Sequence, residues 1–190
     1  MNELTLIRIA KQAMLHPIYP NPRFPPSPYY RFLKLLAKEL QSRLSVELGV
    51  CGGGGSLHMA MTSQIAVGVD HVFDPVYEEN ITHIIHNYPN FYFLQGDSVG
   101  LAGEIYQRWG PIDLLFIDTT HTYEQTMIEY NTYQSYLSGK AIVCLDDLFR
   151  PGMIDAWNEM PETKVRLDFL HQAQKGQGQT GDGGFGVVWK

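Results

Sequence analysis

The stretch LLFIDTTHTYEQT, residues Leu114 to Thr126, ends an apolar run in a carboxylate, Asp118, and places an imidazole, His121, three residues later. These are side chains that bind cations and move protons. Other acids close runs of the same kind: Asp70 after IAVGV, Asp97 in FYFLQGD, and the pair Asp146 and Asp147 in AIVCLDD. Any one of them could be a helix cap. Together they occupy the carboxyl ends of successive strands, the rim along which open parallel sheets bind their ligands.

A glycine-rich turn supplies the other half of such a rim. In VELGVCGGGGS an apolar strand runs into glycines and then a helix, which lets a ligand approach the backbone and meet the helix N-terminus. The dinucleotide fingerprint GxGxxG fits no register there, and the Walker spacing is absent, which disfavours nicotinamide, flavin and nucleoside-triphosphate chemistry. Asp70, about one βα unit downstream, could accept both hydroxyls of a ribose.

Other residues carry less. His83 and His86 have HxxH spacing, but no carboxylate is spaced to join them, so they read as a solvated helix face. His58 reads as packing or as a neighbour of the ligand, and Trp109 and Trp157 as core or rim. Phe24, Tyr29 and Tyr30 could line a pocket or seal the core edge, and the sequence leaves both open. The connector HQAQKGQGQTGDG has no helix after it, so it reads as a hairpin loop rather than a phosphate cradle.

The elements that must position these residues follow from periodicity. Residues 3–14 form an amphipathic helix pattern, and HPIYPNPRFPPSP then carries six prolines, which block regular structure. Ser27 and Pro28 make a helix start, continued by YYRFLKLLAKELQS. From Val46 onward short apolar runs alternate with helical segments near 55–63, 75–87, 98–109 and 122–138, the pattern of a parallel sheet covered on both faces. In the last of these, Thr122 and Gln125 have capping-box spacing, Met127, Tyr130, Tyr133 and Leu137 form a core stripe, and Gly139 ends the helix. KVRLDFL and GFGVVWK have no helix between them and predict an antiparallel hairpin at one sheet edge.

The chain of 190 residues fits one domain, with residues 1–43 as an N-terminal substrate or oligomer region and 44–190 as the ligand-binding core. A net charge of −6 argues against a nucleic-acid binder, which needs clustered Lys and Arg. No apolar run approaches the length of a membrane span, and the N-terminus, with Glu3 in a helical pattern, does not read as a signal peptide, so a cytoplasmic location is expected. Two cysteines without metal-site or CxxC spacing make a disulfide framework unexpected. A homo-oligomer is compatible with all of this.

In combination, VELGVCGGGGS, GVD, QGDS, FIDTTHTYEQT and LDD resemble the ordered motifs of class I S-adenosylmethionine-dependent methyltransferases. Within that class the spacing is similar to small-molecule O-methyltransferases: macrolide sugar O-methyltransferases, CmcI-like proteins and, more distantly, catechol-type enzymes. The resemblance covers residues 44–190. It implies a three-layer α/β/α Rossmann-like sandwich with a seven-stranded, mostly parallel sheet and an antiparallel C-terminal hairpin. It implies that Glu47, Gly49, Gly53 and Ser56 shape the pocket for the methionine end of S-adenosylmethionine. Asp70 would hold the ribose, Asp97 and Ser98 would meet the adenine, and Asp118 would touch the cofactor's amino group.

The resemblance further implies a divalent ion such as Mg²⁺ on Asp118, Asp146 and Asp147, with His121 as the base that deprotonates a small hydroxylated acceptor. Two departures stand out: His121 replaces the lysine of catechol-type enzymes, and Asp147 replaces an asparagine. A third carboxylate strengthens the hold on a hard cation but leaves it less positive charge for the substrate. Alternatives are metal-independent O- or N-methyl transfer with His121 alone, and a non-catalytic S-adenosylmethionine-binding protein.

Overall fold

The computed structural model describes residues 1–15, 23–24, 27–170 and 183–189. Most of the proline-rich stretch and nearly all of the glycine-rich connector lie outside the described residues, so neither loop expectation is addressed.

Apolar runs with little room for polar residues become the central strands. β1 (Leu44–Leu48) and β4 (Ile112–Ile117) are buried along their whole length. β2 (Ile65–Asp70), β3 (Phe91–Gln95) and β5 (Leu137–Leu145) flank them. With β6 (Thr163–Arg166) and β7 (Gly186–Trp189) they form one seven-stranded sheet in the order β3-β2-β1-β4-β5-β7-β6. β1 to β5 run parallel, and β7 inserts antiparallel between β5 and β6. The strand order reverses between β1 and β4, where Leu48 lies opposite Ile117.

Strand residues alternate between two cores, as the pleat requires. Leu114, Phe116, Ile142 and Cys144 pack with α1 (Glu3–Leu15), α2 (Pro28–Leu40) and α3 (Gly54–Ala60). Leu115, Ile117, Val143 and Leu145 pack on the other face with α5 (Ser98–Trp109) and α6 (Tyr123–Tyr133). α4 (Glu78–Asn87) joins the first core through Ile81 and Ile84, and α7 (Met153–Glu159) completes the element list. The three layers and the mostly parallel sheet match the sequence expectation.

Two boundaries differ. The helix expected over 122–138 ends at Tyr133, a 3₁₀ turn covers Gln134–Tyr136, and β5 already starts at Leu137. Leu137 pairs with Ile112 across the sheet and still packs on the expected core, so a strand residue met the same burial need as a helical one. The run KVRLDFL keeps β structure only to Arg166. There Asp168 ion-pairs with Arg166 and accepts the Phe185 N–H at 3.2 Å, which suits a turn more than a continued strand.

Candidate active site

The rim begins where β1 and β4 leave the sheet together. The Asp118 N–H donates to the Leu48 carbonyl at 2.8 Å, bringing the two strand ends into contact. Gly49 follows with φ +86°, and a Cβ there would sit 2.0 Å from the Asp118 carbonyl oxygen. Only glycine tolerates both the left-handed backbone and this approach. Asp70, from the end of β2, accepts the N–H groups of Val50 and Cys51 at 2.9 and 3.0 Å. The acid that the motifs assign to a ribose therefore also holds the glycine turn in shape.

These strand ends wall a cleft of about 280 Å³ lined by Gly49, Asp70, Ser98 and Asp118, among others. The other residues expected at the cofactor do not line it. Glu47 is buried behind the turn and accepts a hydrogen bond from the Ser56 hydroxyl. Burial pushes its carboxyl up to about 8, against the lowering effect of Ser56. Gly53 starts α3 with φ +81° and abuts Ile81, Ile84 and Phe24. Asp97 caps α5, accepting the Gly100 N–H at 2.7 Å, with its side chain 56% exposed beside His71.

The acids at the ends of β4 and β5 gather with His121. Its Nε2 lies 3.6 Å from Asp118 Oδ1 and 3.7 Å from Asp147 Oδ2, ion-pair distances rather than hydrogen bonds. Asp147 also takes the Arg150 guanidinium at 3.0 Å. Burial, then the neighbouring carboxyls of Asp146, Glu47 and Asp147, hold the Asp118 carboxyl well above the usual carboxylate range. Among the described residues, three of the four non-glycine residues with positive φ are Cys51, His121 and Asp147. Backbone strain is thus concentrated at this rim, as it commonly is at functional sites. Among the described residues no group of three His, Cys, Asp or Glu side chains is gathered as a metal site.

Tyr29 and Tyr30, from the first turn of α2, border both the core and the site. Tyr30 lies against Gly54, where even a Cβ would collide with its ring, and it stacks on His58. Both phenols are pushed up, by burial first. Asp146 and Asp118 add to this at Tyr29, and Tyr29 and Asp118 at Tyr30. His58 Nδ1 donates to the Gly54 carbonyl of its own helix at 2.8 Å, and burial lowers its pKa to about 4, so it is a packed, neutral ring.

Sequence reasoning missed Glu129. It sits on α6, is fully buried, and lines the cleft with Thr119 and Gln125. It accepts the Ser98 hydroxyl at 2.6 Å, the Thr119 hydroxyl at 2.9 Å and the Gln125 amide at 2.9 Å. The signal was present in the helix periodicity, since Glu129 adjoins the apolar stripe where a charge has no place without partners. Gln125 was expected to complete a capping box. Its N–H does bond the Thr122 hydroxyl at 3.3 Å, but its side chain turns to Glu129.

A family model described as a methyltransferase domain matches residues 46–148. No curated protein matches the chain. Among solved structures, it is similar to the O-methyltransferase from Bacillus cereus in complex with SAH, with TM-score 0.65, 16% identity, and 100% of this chain and 92% of that chain covered. It is similar to the O-methyltransferase TomG from Streptomyces achromogenes, involved in tomaymycin synthesis and in complex with SAM, with TM-score 0.59, 15% identity and 100% and 91% covered. An rRNA methylase from Streptococcus thermophilus shares the fold too, with TM-score 0.63, 11% identity and 85% and 93% covered. With more than half its length matched by the family model, and with the fold these enzymes share, the chain belongs to the methyltransferase-domain family.

Proposed function

We propose that this methyltransferase moves the methyl group of S-adenosylmethionine onto a hydroxyl oxygen of a small molecule. The observation that carries the reading is the cleft at the β1–β4 switch point, with the Asp118–His121–Asp147 cluster at its rim. The SAH and SAM bound to the Bacillus and Streptomyces proteins support the cofactor. The fold alone does not choose the acceptor, since an rRNA methylase shares it. A net charge of −6 and a rim of acids favour a small hydroxylated acceptor over a polyanion.

The cofactor supplies an electrophilic methyl on a sulfonium sulfur, which leaves as a neutral thioether when the acceptor oxygen takes the methyl. The chain positions and deprotonates. Asp70 keeps the glycine turn open to the ligand and faces the cleft. His121 Nε2 receives the hydroxyl proton, with the side chains of Asp118 and Asp147 on either side of it. Holding the two partners in line provides most of the acceleration.

The donor chemistry of Asp118, Asp146 and Asp147 fits a hard divalent cation such as Mg²⁺, and the crowding of buried carboxyls at Asp118 is what a cation would relieve. These three are the residues that would hold it, though among the described residues they are not gathered into a ligand group. The ion would lower the pKa of an acceptor hydroxyl. A second reading, transfer without a metal, is favoured by the position of His121 Nε2 between Asp118 and Asp147 and by the lack of a three-ligand group among the described residues.

Titration calorimetry with S-adenosylhomocysteine tests the reading. The chain should bind it, and Asp70→Ala should weaken binding by about 1–3 kcal/mol. No binding to the unaltered protein would overturn the reading. Activity toward a found acceptor that survives chelation would select the metal-free route.

A further inference from the structure

We propose that buried Glu129 sets the hydrogen-bonding polarity of one end of the cleft, making it selective for a ligand edge that carries an amino group. This rests on the cofactor reading above, and it moves the discrimination of the adenine base from Asp97 to Glu129.

The geometry is specific. Glu129 is the acceptor in these contacts: its two oxygens take the hydroxyl hydrogens of Ser98 and Thr119 and one amide hydrogen of Gln125. A hydroxyl has one hydrogen to give. With theirs committed to Glu129, Ser98 Oγ and Thr119 Oγ1 have only lone pairs left. Both residues line the cleft. The Gln125 amide is oriented the same way: its nitrogen faces Glu129 and, at 3.4 Å, Ser98 Oγ, so its carbonyl oxygen is the end left for a ligand. All three cleft-lining side chains therefore offer acceptors. The arrangement is held rigidly, since Glu129 is fully buried and the Tyr133 hydroxyl donates to the Ser98 carbonyl at 2.8 Å.

A wall of acceptors pairs with an exocyclic amino group and repels a carbonyl. Adenine presents an amino group at its six-position, whereas the deaminated base, hypoxanthine, presents a carbonyl oxygen there. Asp97 is a poor candidate for this discrimination because it caps α5, is 56% exposed and does not line the cleft. Helix periodicity marks Glu129 only as a charge beside an apolar stripe; its partners come from residues that follow two strands and from its own helix.

The test compares binding of S-adenosylhomocysteine and S-inosylhomocysteine by calorimetry, in the absence of any acceptor. The unaltered chain should prefer the adenosyl form by about tenfold or more, since the inosyl form leaves buried polar groups unpaired. Glu129→Gln brings its own donors, which turn a Ser98 or Thr119 hydroxyl hydrogen toward the cleft. It should lose most of that preference, and Glu129→Asp should retain part of it. A residue with a merely structural role would weaken both ligands alike and leave the ratio unchanged, which would overturn the proposal. If Glu129→Gln does not fold, as judged by its melting transition, Thr119→Val removes one acceptor while leaving Glu129 in place. An unchanged ratio in that variant would overturn the proposal equally. Equal binding of both ligands by the unaltered chain overturns this assignment alone. Binding of neither overturns the cofactor reading on which it rests.

Discussion

His121 stands with its Nε2 between two carboxylates and its Nδ1 buried, without a hydrogen-bond partner among the described residues. Nε2 is thus the nitrogen placed to take a proton. His121→Ala should lower kcat about 10²–10⁴-fold, the usual contribution of a general base, while S-adenosylhomocysteine affinity measured by calorimetry stays nearly constant. A variant turning over an acceptor at the original rate would assign the base elsewhere. Glu47 makes a separate prediction about stability. Its carboxyl rises from 4.5 to about 8 on burial, so the folded chain binds a proton that the unfolded chain has released. The associated stability is complete below about pH 4.5 and is lost as pH rises through about 8. Glu47→Gln, which keeps an acceptor for Ser56, should flatten that decline in urea-denaturation curves recorded across the window. An unchanged slope would mean that Glu47 is ionised when buried.

The element on which the site depends most is the turn from β1 into α3. Its glycines serve different ends: Gly49 lets Asp118 approach, Gly54 makes room for the Tyr30 ring, and Gly55 makes room for Glu47. Gly49→Ala combines a left-handed backbone with a Cβ 2.0 Å from a carbonyl oxygen. It should cost at least about 1–3 kcal/mol of stability from the strained φ alone and should abolish S-adenosylhomocysteine binding. A variant with unaltered stability in urea and unaltered calorimetry would contradict the packing between Gly49 and Asp118. The end of β5 shows strain in use as well, since Asp147 at φ +52° follows a buried Asp146 and turns its carboxylate back toward His121.

At the scale of the molecule, the two N-terminal helices complete one of the two cores. Leu6 and Ile9 of α1 are almost fully buried with Phe32, Leu33 and Leu36 of α2. Deleting residues 1–15 should lower the unfolding free energy in urea by about 3–6 kcal/mol from Leu6 and Ile9 alone, at about 1.5–3 kcal/mol for each side chain. A loss under 1 kcal/mol would make α1 an accessory. Much of the fold was readable without coordinates, because β1, β2, β3 and β4 are apolar runs whose length and flanking helical periods admit little else. So were the acids at the strand ends, because a parallel sheet forces its carboxyl termini onto one edge. The direction of each side chain was not readable. Asp97 and Asp70 are both strand-end aspartates, yet one caps a helix and the other holds the glycine turn. Tyr29 and Tyr30 were open between core and site until α2 was placed against α3, and Glu129 acquired its partners only when α6 met the ends of β3 and β4. Periodicity along a chain is a local property that burial imposes on each element separately, whereas which polar groups meet depends on strand order and helix placement, which only the packed sheet decides.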